Sequence, residues 1–125
     1  MDKLLRLLVL APSILFVFVG VRWLVDPAGA APMFGLTLEQ GVGLSSQVGD
    51  MSAFFLTLGS CMLIALISGR RLWYYPPLML LLAAAVGRLV AWMAHDATFA
   101  VSLIGTEILV SALLFLASHR LADKG

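Results

Sequence analysis

Four long apolar stretches, each about the length needed to cross a membrane, constrain this chain more than any other feature. Their bounds are Leu7–Val25, Met51–Ser68, Trp73–Ala94 and Phe99–Ser118. A helix needs about 20 apolar residues to cross a hydrocarbon core about 30 Å thick. Because lipid offers backbone groups no hydrogen bonds, each stretch is expected to be helical. The sequence therefore predicts an all-α fold, a single transmembrane four-helix antiparallel bundle formed by residues 1–125.

The composition excludes several other classes of protein. Hydrophobic residues make up 62% of the chain and charged residues only 12%, far from the balance of a soluble domain. Eight basic and seven acidic residues leave a net charge of +1, without the basic patch that nucleic acid requires. Cys61 is the single cysteine, and no Cys/His spacing is typical of zinc. We expect the lipid bilayer as solvent, and no nucleic-acid partner, cofactor or metal.

The Lys and Arg residues outside the stretches predict the orientation of the bundle. Six of them fall on one side of the membrane, namely Lys3, Arg6, Arg70, Arg71, Arg120 and Lys124. The other two connections, Asp26–Asp50 and His95–Thr98, contain neither residue type. Since basic loops remain in the cytoplasm, we expect a multi-pass protein of the bacterial inner (cytoplasmic) membrane with both termini cytoplasmic.

The first stretch has an alternative interpretation as a secretory signal, because small residues at Ala28, Gly29 and Ala30 resemble a cleavage site. Its length favours a retained helix, and Arg22 and Asp26 interrupt the cleavage region. We therefore expect the first helix to remain part of the protein.

A long outer loop, Asp26–Asp50, joins the first two stretches. Asp26 followed by Pro27 is typical of a helix start, which predicts a short interfacial helix reaching about Phe34. Loops of this length are usually functional or disordered. We expect the loop to fold over the outer mouth of the bundle and to contact it through its large apolar residues, Met33, Phe34, Leu36 and Leu38.

Three ionisable residues, Arg22, Arg88 and Glu107, lie inside the apolar stretches. A charge at the centre of a membrane helix costs about 2.5–3.5 kcal/mol, and a guanidinium cannot relieve this by losing its proton. Arg88 therefore needs an acceptor, and Glu107 on the next helix lies at a similar depth. The sequence predicts a buried Arg88–Glu107 ion pair.

Helical spacing brings further polar residues into the same outer half of the bundle. Trp92 and His95 follow Arg88 at i+4 and i+7, and so share its face of the helix. Convergence of these faces would form a polar pocket. Its candidate ligand-binding residues are Arg22, Asp50, Arg88, Trp92 and Glu107, and its candidate catalytic residues are Glu107, Arg88 and His95.

Several short motifs together resemble a family of small, uncharacterised four-helix bacterial integral membrane proteins. They are Gly87-Arg88, His95-Asp96, Glu107 and the segment Arg22-Trp23-Leu24-Val25-Asp26-Pro27. The broader resemblance is to DoxX-like membrane proteins, some of which are subunits of quinone-linked oxidoreductases. The residues Gln47–Ser52 depart from the family's usual entry into the second helix. The resemblance implies the fold and a membrane location rather than an activity.

These features leave several functions open. The first is an accessory subunit, or a binder of a lipophilic small molecule such as a quinone, with a membrane-protein partner or a second copy of itself. The second is an intramembrane enzyme, an isomerase, cyclase or quinone-linked redox subunit, in which Glu107 acts as general acid or base. An ion path is disfavoured because no ionisable relay leads from Glu107 to the cytoplasmic face. In the plainest interpretation, the Arg88–Glu107 pair only locks the register of two helices.

Overall fold

The computed structural model describes residues 2–123 and is helical almost throughout this range. Its five α-helices are α1 (Asp2–Val25), α2 (Pro27–Ala30), α3 (Val42–Ser68), α4 (Tyr75–Ala94) and α5 (Val101–Arg120). Two 3₁₀ helices, Ala31–Phe34 and Arg71–Tyr74, precede the second and third long helices, and residues 2–123 contain no strand. The prediction of an all-α fold is confirmed.

Four helical segments within residues 2–123 are long and apolar enough to cross a membrane. They are α1, α3, α5 and the segment Arg71–Ala94, which joins the second 3₁₀ helix to α4. By length and composition the chain is a multi-pass membrane protein. Each predicted stretch corresponds to one of these segments. The fourth stretch, predicted from Phe99 to Ser118, corresponds to α5, which begins at Val101 and ends at Arg120.

The largest correction to the sequence analysis concerns the connection between α1 and α3. It was expected to run from Asp26 to Asp50, but α3 already begins at Val42. The helix can begin this early because residues 42–50 contain no proline, and the irregular backbone ends at Gly41, which has a φ of 59°. The Gln47 side chain also holds the preceding residues, since it accepts from the Glu39 N–H at 2.9 Å and donates to the Thr37 carbonyl at 3.0 Å.

The start of this connection agrees with the prediction from Asp26 and Pro27. The Asp26 carboxylate accepts a hydrogen bond from the Gly29 N–H, and Pro27 occupies the first position of α2. The 3₁₀ helix that follows ends at Phe34, where Gly35 adopts a left-handed conformation with φ 69°. The predicted short helix reaching Phe34 is therefore present, as two consecutive helical turns of different type.

Glycines allow α1 and α3 to approach closely. A Cβ atom added at Gly59 would lie 2.7 Å from the Ser13 carbonyl oxygen, and one added at Gly20 would lie 2.9 Å from the Leu56 backbone nitrogen. Small residues permit such backbone contact between membrane helices. The core of the bundle extends from this interface, with Val9, Trp23, Leu58, Met62 and Leu114 almost fully buried.

Hydrogen bonds of basic residues tie one end of the bundle together. Arg6 in α1 donates to the Leu66 carbonyl in α3 at 3.2 Å, and Arg71 donates to the Ser118 carbonyl in α5 at 2.9 Å. Arg120 forms an ion pair with Asp2 at 3.6 Å. The basic residues that the sequence analysis placed on one side therefore lie at one end of the bundle, except Lys124, which lies outside the described residues.

Candidate functional site

The predicted ion pair between α4 and α5 is present. Nε of Arg88 lies 3.1 Å from each carboxylate oxygen of Glu107 and donates to both. The Glu107 side chain is 10% exposed and that of Arg88 is 31% exposed. The short connection at residues 95–100 places the two helices side by side, so that Arg88 in the second half of α4 meets Glu107 in the first half of α5. The prediction of a buried Arg88–Glu107 ion pair is confirmed.

The geometry of the pair leaves most of the Arg88 guanidinium uncommitted. A guanidinium has five N–H donors and usually grips a carboxylate with two parallel hydrogen bonds. Here a single N–H, on Nε, is shared between the two oxygens. Within residues 2–123, Arg88 makes no hydrogen bond through Nη1 or Nη2. The donors on these two nitrogens can therefore bind another acceptor.

A cavity of about 80 Å³ lies beside the ion pair. Arg88, Glu107 and Thr106 form its polar side. The rest of its lining is apolar and comes from all four long helices and from the connection between α1 and α3, namely Phe16, Phe34, Phe54, Phe55, Leu81 and Leu103. A water molecule needs only about 10–15 Å³ of such volume, whereas pockets that enclose a whole drug-sized ligand reach about 300–1,000 Å³. The cavity fits one end of a molecule rather than all of it.

Phenylalanine rings form most of the apolar wall of the cavity. The Phe55 ring lies at their centre, with ring centroids 5.9 Å from Phe16 and 5.0 Å from both Phe34 and Phe54. Tilted and edge-to-face rings at these separations attract each other. Because the rings come from α1, α3 and the first 3₁₀ helix, this cluster fixes three separate parts of the chain around one space.

Phe34 brings the connection between α1 and α3 to the cavity. The sequence analysis expected four apolar residues of this connection to contact the bundle. Phe34 does so, since it is half-buried against the core. Met33, Leu36 and Leu38 are each more than a third exposed. The connection therefore contributes one ring to the cavity rather than a broad apolar lid.

Arg22 and Asp50, predicted to bind a ligand, do not line the cavity. Arg22 forms an ion pair with Asp26, at 3.6 Å, and its Nη1 lies 3.5 Å from the sulfur of Met33. It thus belongs to the end of α1 and the connection. Asp50 is exposed within α3. Of the five predicted ligand-binding residues, the structure brings only Arg88 and Glu107 to the cavity.

Trp92 and His95 also lie away from it, near the end of α4. Trp92 is 47% exposed and its ring meets Phe99 edge-on, with centroids 5.0 Å apart. His95 is exposed and ends the helix, and the backbone N–H groups of His95 and Ala97 both donate to the Ala91 carbonyl. Asp96 between them adopts φ 59°, as this type of helix ending requires. His95 therefore caps the end of α4 and does not line the cavity beside the ion pair.

Several cavity residues were missed by the sequence analysis. Phe16, Phe55, Leu81 and Thr106 were not proposed for the pocket because nothing distinguishes them from other apolar or small residues of the spans. The two consecutive phenylalanines at positions 54 and 55 were the one sequence feature that could have indicated the aromatic wall of the cavity. Polar residues attract attention in an apolar sequence, whereas the larger part of this cavity is apolar.

The chemistry of the site is that of hydrogen-bond donation in an apolar space. Among the residues that the structure describes, no three His, Cys, Asp or Glu side chains are grouped so as to hold a metal ion. The Arg88 guanidinium can donate to an oxygen atom placed in the cavity, and the phenylalanine rings can contact an attached apolar group. Both oxygens of Glu107 already accept from Arg88, so the carboxylate serves first to hold that guanidinium in place.

Comparison of this chain with known protein families, with curated proteins and with solved structures finds no match. The resemblance to DoxX-like proteins therefore stays a prediction from short motifs. The fold and the cavity are the observations from which a function can be argued.

Proposed function

We propose that this chain is a multi-pass protein of the bacterial cytoplasmic membrane, with both termini in the cytoplasm, that binds a lipophilic small molecule by its polar end. The observation that carries the proposal is the cavity beside Arg88, where the Nη donors of a guanidinium inside a membrane bundle have no acceptor within residues 2–123. Arginine is rare inside membrane helices and usually marks a functional site.

The walls of the cavity define the chemistry of the ligand. Arg88 supplies N–H donors for a carbonyl, carboxylate or similar oxygen, and Phe16, Phe54 and Phe55 supply apolar surface for the adjoining group. Because the cavity has about 80 Å³, the remainder of the ligand extends between the helices towards lipid. A compact oxygen-bearing head on an apolar body, as in a quinone or a fatty acid, meets these requirements.

The same geometry separates binding from a purely structural ion pair. A pair that served only to lock the register of α4 and α5 has no need of a cavity, and well-packed side chains would fill the space. Phe54 and Leu103 line the space without filling it. Binding therefore accounts for the cavity and the free donors together.

Titration of the purified protein in nanodiscs with ubiquinone-1 tests the proposal, with quenching of tryptophan fluorescence as the readout. We expect saturable quenching by this short-chain, carbonyl-bearing probe. Arg88→Gln should weaken binding about tenfold or more, because a charged donor is lost from an apolar site. Arg70→Gln, which removes an exposed charge outside the cavity, is the control and should bind like the wild type.

A second variant distinguishes binding in the cavity from binding elsewhere. Leu103→Phe adds a ring to the cavity wall and leaves the ion pair intact, so it should abolish saturable quenching while the far-ultraviolet circular dichroism stays unchanged. Equal affinity in the wild type, Arg88→Gln and Leu103→Phe would refute the proposal. Saturation by neither ubiquinone-1 nor oleic acid would favour the register-lock interpretation instead.

A further inference from the structure

A second and larger cavity lies between the first three turns of α1 and the last two turns of α3. It is separate from the cavity beside the ion pair, which α1 reaches only at Phe16. It is a groove of about 450 Å³, open on one side, which is within the size range of ligand sites. Two basic residues, Lys3 and Arg6, stand at the groove. Its other lining residues are all aliphatic, namely Leu7, Leu10, Leu63, Leu66 and Ile67.

Charge and apolar surface are separated along the length of this groove. Lys3 and Arg6 lie in the first two turns of α1, whereas Leu10 lies about 10 Å further along the helix axis than Lys3, at 1.5 Å per residue. Leu63 lies on the corresponding inner part of α3. The groove is thus basic near the end of the bundle and aliphatic towards its middle.

The two basic side chains have no counter-ion in the part of the chain that the structure describes. Residues 2–123 contain three ion pairs, and neither Lys3 nor Arg6 belongs to one. The nearest carboxylate in sequence, that of Asp2, pairs with Arg120. Arg6 donates from Nη2 to the Leu66 carbonyl, which holds its guanidinium across the groove and leaves other N–H donors free.

We propose that this groove binds one anionic phospholipid. The lipid phosphate lies against Lys3 and Arg6, and one acyl chain follows the aliphatic residues towards the middle of the membrane. The charge of the site complements the phosphate, since guanidinium groups bind phosphate through charge-assisted hydrogen bonds and basic pockets between membrane helices bind anionic head groups. The order of polarity along the groove is that of a phospholipid at its normal depth.

A second copy of the chain is a poorer occupant. A two-fold symmetric contact through this groove would place the same patch of both copies together. Lys3 and Arg6 of one protomer would then face Lys3 and Arg6 of its partner, and like charges repel across an apolar interface. The groove therefore favours a ligand that brings negative charge.

Retention of lipid from a defined membrane tests the proposal. The protein is reconstituted in nanodiscs of palmitoyl-oleoyl phosphatidylcholine containing a minor share of palmitoyl-oleoyl phosphatidylglycerol. It is then extracted into dodecyl maltoside, and the retained lipids are identified by native mass spectrometry. We expect one phosphatidylglycerol per chain, enriched over its share of the membrane. The Lys3→Gln/Arg6→Gln double variant should reduce this enrichment about tenfold or more, and Arg70→Gln should leave it unchanged.

Two single variants keep the test interpretable if loss of the Arg6 hydrogen bond impairs folding. Lys3→Gln leaves the Arg6–Leu66 contact intact and should lower the enrichment severalfold. Leu63→Trp adds bulk to the aliphatic part without changing the charge, and should displace the lipid. Equal retention of both lipids by the wild type, or wild-type retention by Leu63→Trp, would overturn the proposal. A mass of two chains without retained lipid would overturn it as well, because the dimer would then be stable with no lipid in the groove.

Discussion

At the scale of single residues, the contact between Arg88 and Glu107 decides how the chain tolerates charge within its apolar spans. Removing one partner leaves the other in an apolar environment, whereas removing both restores an apolar interface. Broken buried pairs in soluble proteins lose about 3–5 kcal/mol, and replacement of both partners by apolar residues is often neutral. A variant that removes one partner should therefore be less stable than the variant that removes both.

We predict that Glu107→Leu lowers the free energy of unfolding by about 3 kcal/mol, at the lower end of that range because about a third of the Arg88 side chain is exposed. The Arg88→Leu/Glu107→Leu double variant should be more stable than Glu107→Leu. Reversible unfolding in mixtures of dodecyl maltoside and sodium dodecyl sulfate, followed by circular dichroism, measures both. A double variant less stable than Glu107→Leu would contradict this account.

The ion pair could be predicted from the sequence, but most of the cavity around it could not. An arginine in an apolar span needs an acceptor, and Glu107 was the best placed. The positions of Trp92, Asp50 and the phenylalanines depend instead on how each helix is rotated about its axis. In a soluble helix the apolar stripe reveals this rotation. A membrane helix is apolar towards lipid and towards its neighbours alike, so the sequence carries no such stripe.

At the scale of elements, the close approach of α1 and α3 depends on glycines that the sequence analysis did not single out. Gly59→Ala would place a Cβ 2.7 Å from the Ser13 carbonyl oxygen, so the helices must move apart. We predict a loss of about 1–3 kcal/mol in unfolding free energy, as for other overpacked sites, in the same unfolding assay.

Gly105→Ala in α5 provides the matched control, because a Cβ added there meets no atom within 4 Å. Alanine is the better helix former by about 1 kcal/mol, so this variant should be as stable as the wild type or more so. Equal effects at the two positions would show that backbone contact at Gly59 does not limit the α1–α3 distance.

The existence of each long helix was predictable from the length of its apolar span. The start of α3 at Val42 was not, because polar residues such as Gln47 are typical of a loop rather than of a membrane helix.

At the scale of the whole molecule, the proposed orientation depends on the basic residues at one end of the bundle. The contacts of Arg6, Arg71 and Arg120 give this end a cluster of cations, as expected for the cytoplasmic face. Gln40 and Arg70 are exposed in two different connections and are suitable for labelling.

We predict that Gln40→Cys, in a Cys61→Ala background, reacts with a membrane-impermeant maleimide added to intact cells. Arg70→Cys in the same background should react only after the cells are permeabilised. Both positions avoid the glycines with positive φ, where a side chain would strain the backbone. Labelling of Arg70→Cys in intact cells, with protection of Gln40→Cys, would reverse the proposed orientation.

The position of Arg88 and Glu107 on consecutive helices has a consequence for how the protein is made. During synthesis α1 and α3 emerge first and can form a helical hairpin without either charge. The second hairpin then carries a cation and an anion that neutralise each other within the same inserting unit. Either charge alone would oppose partitioning into lipid by about 2.5–3.5 kcal/mol. We therefore expect α4 and α5 to partition into lipid more favourably as a pair than either helix does alone, and the cavity is completed only when the second hairpin packs against the phenylalanines of the first.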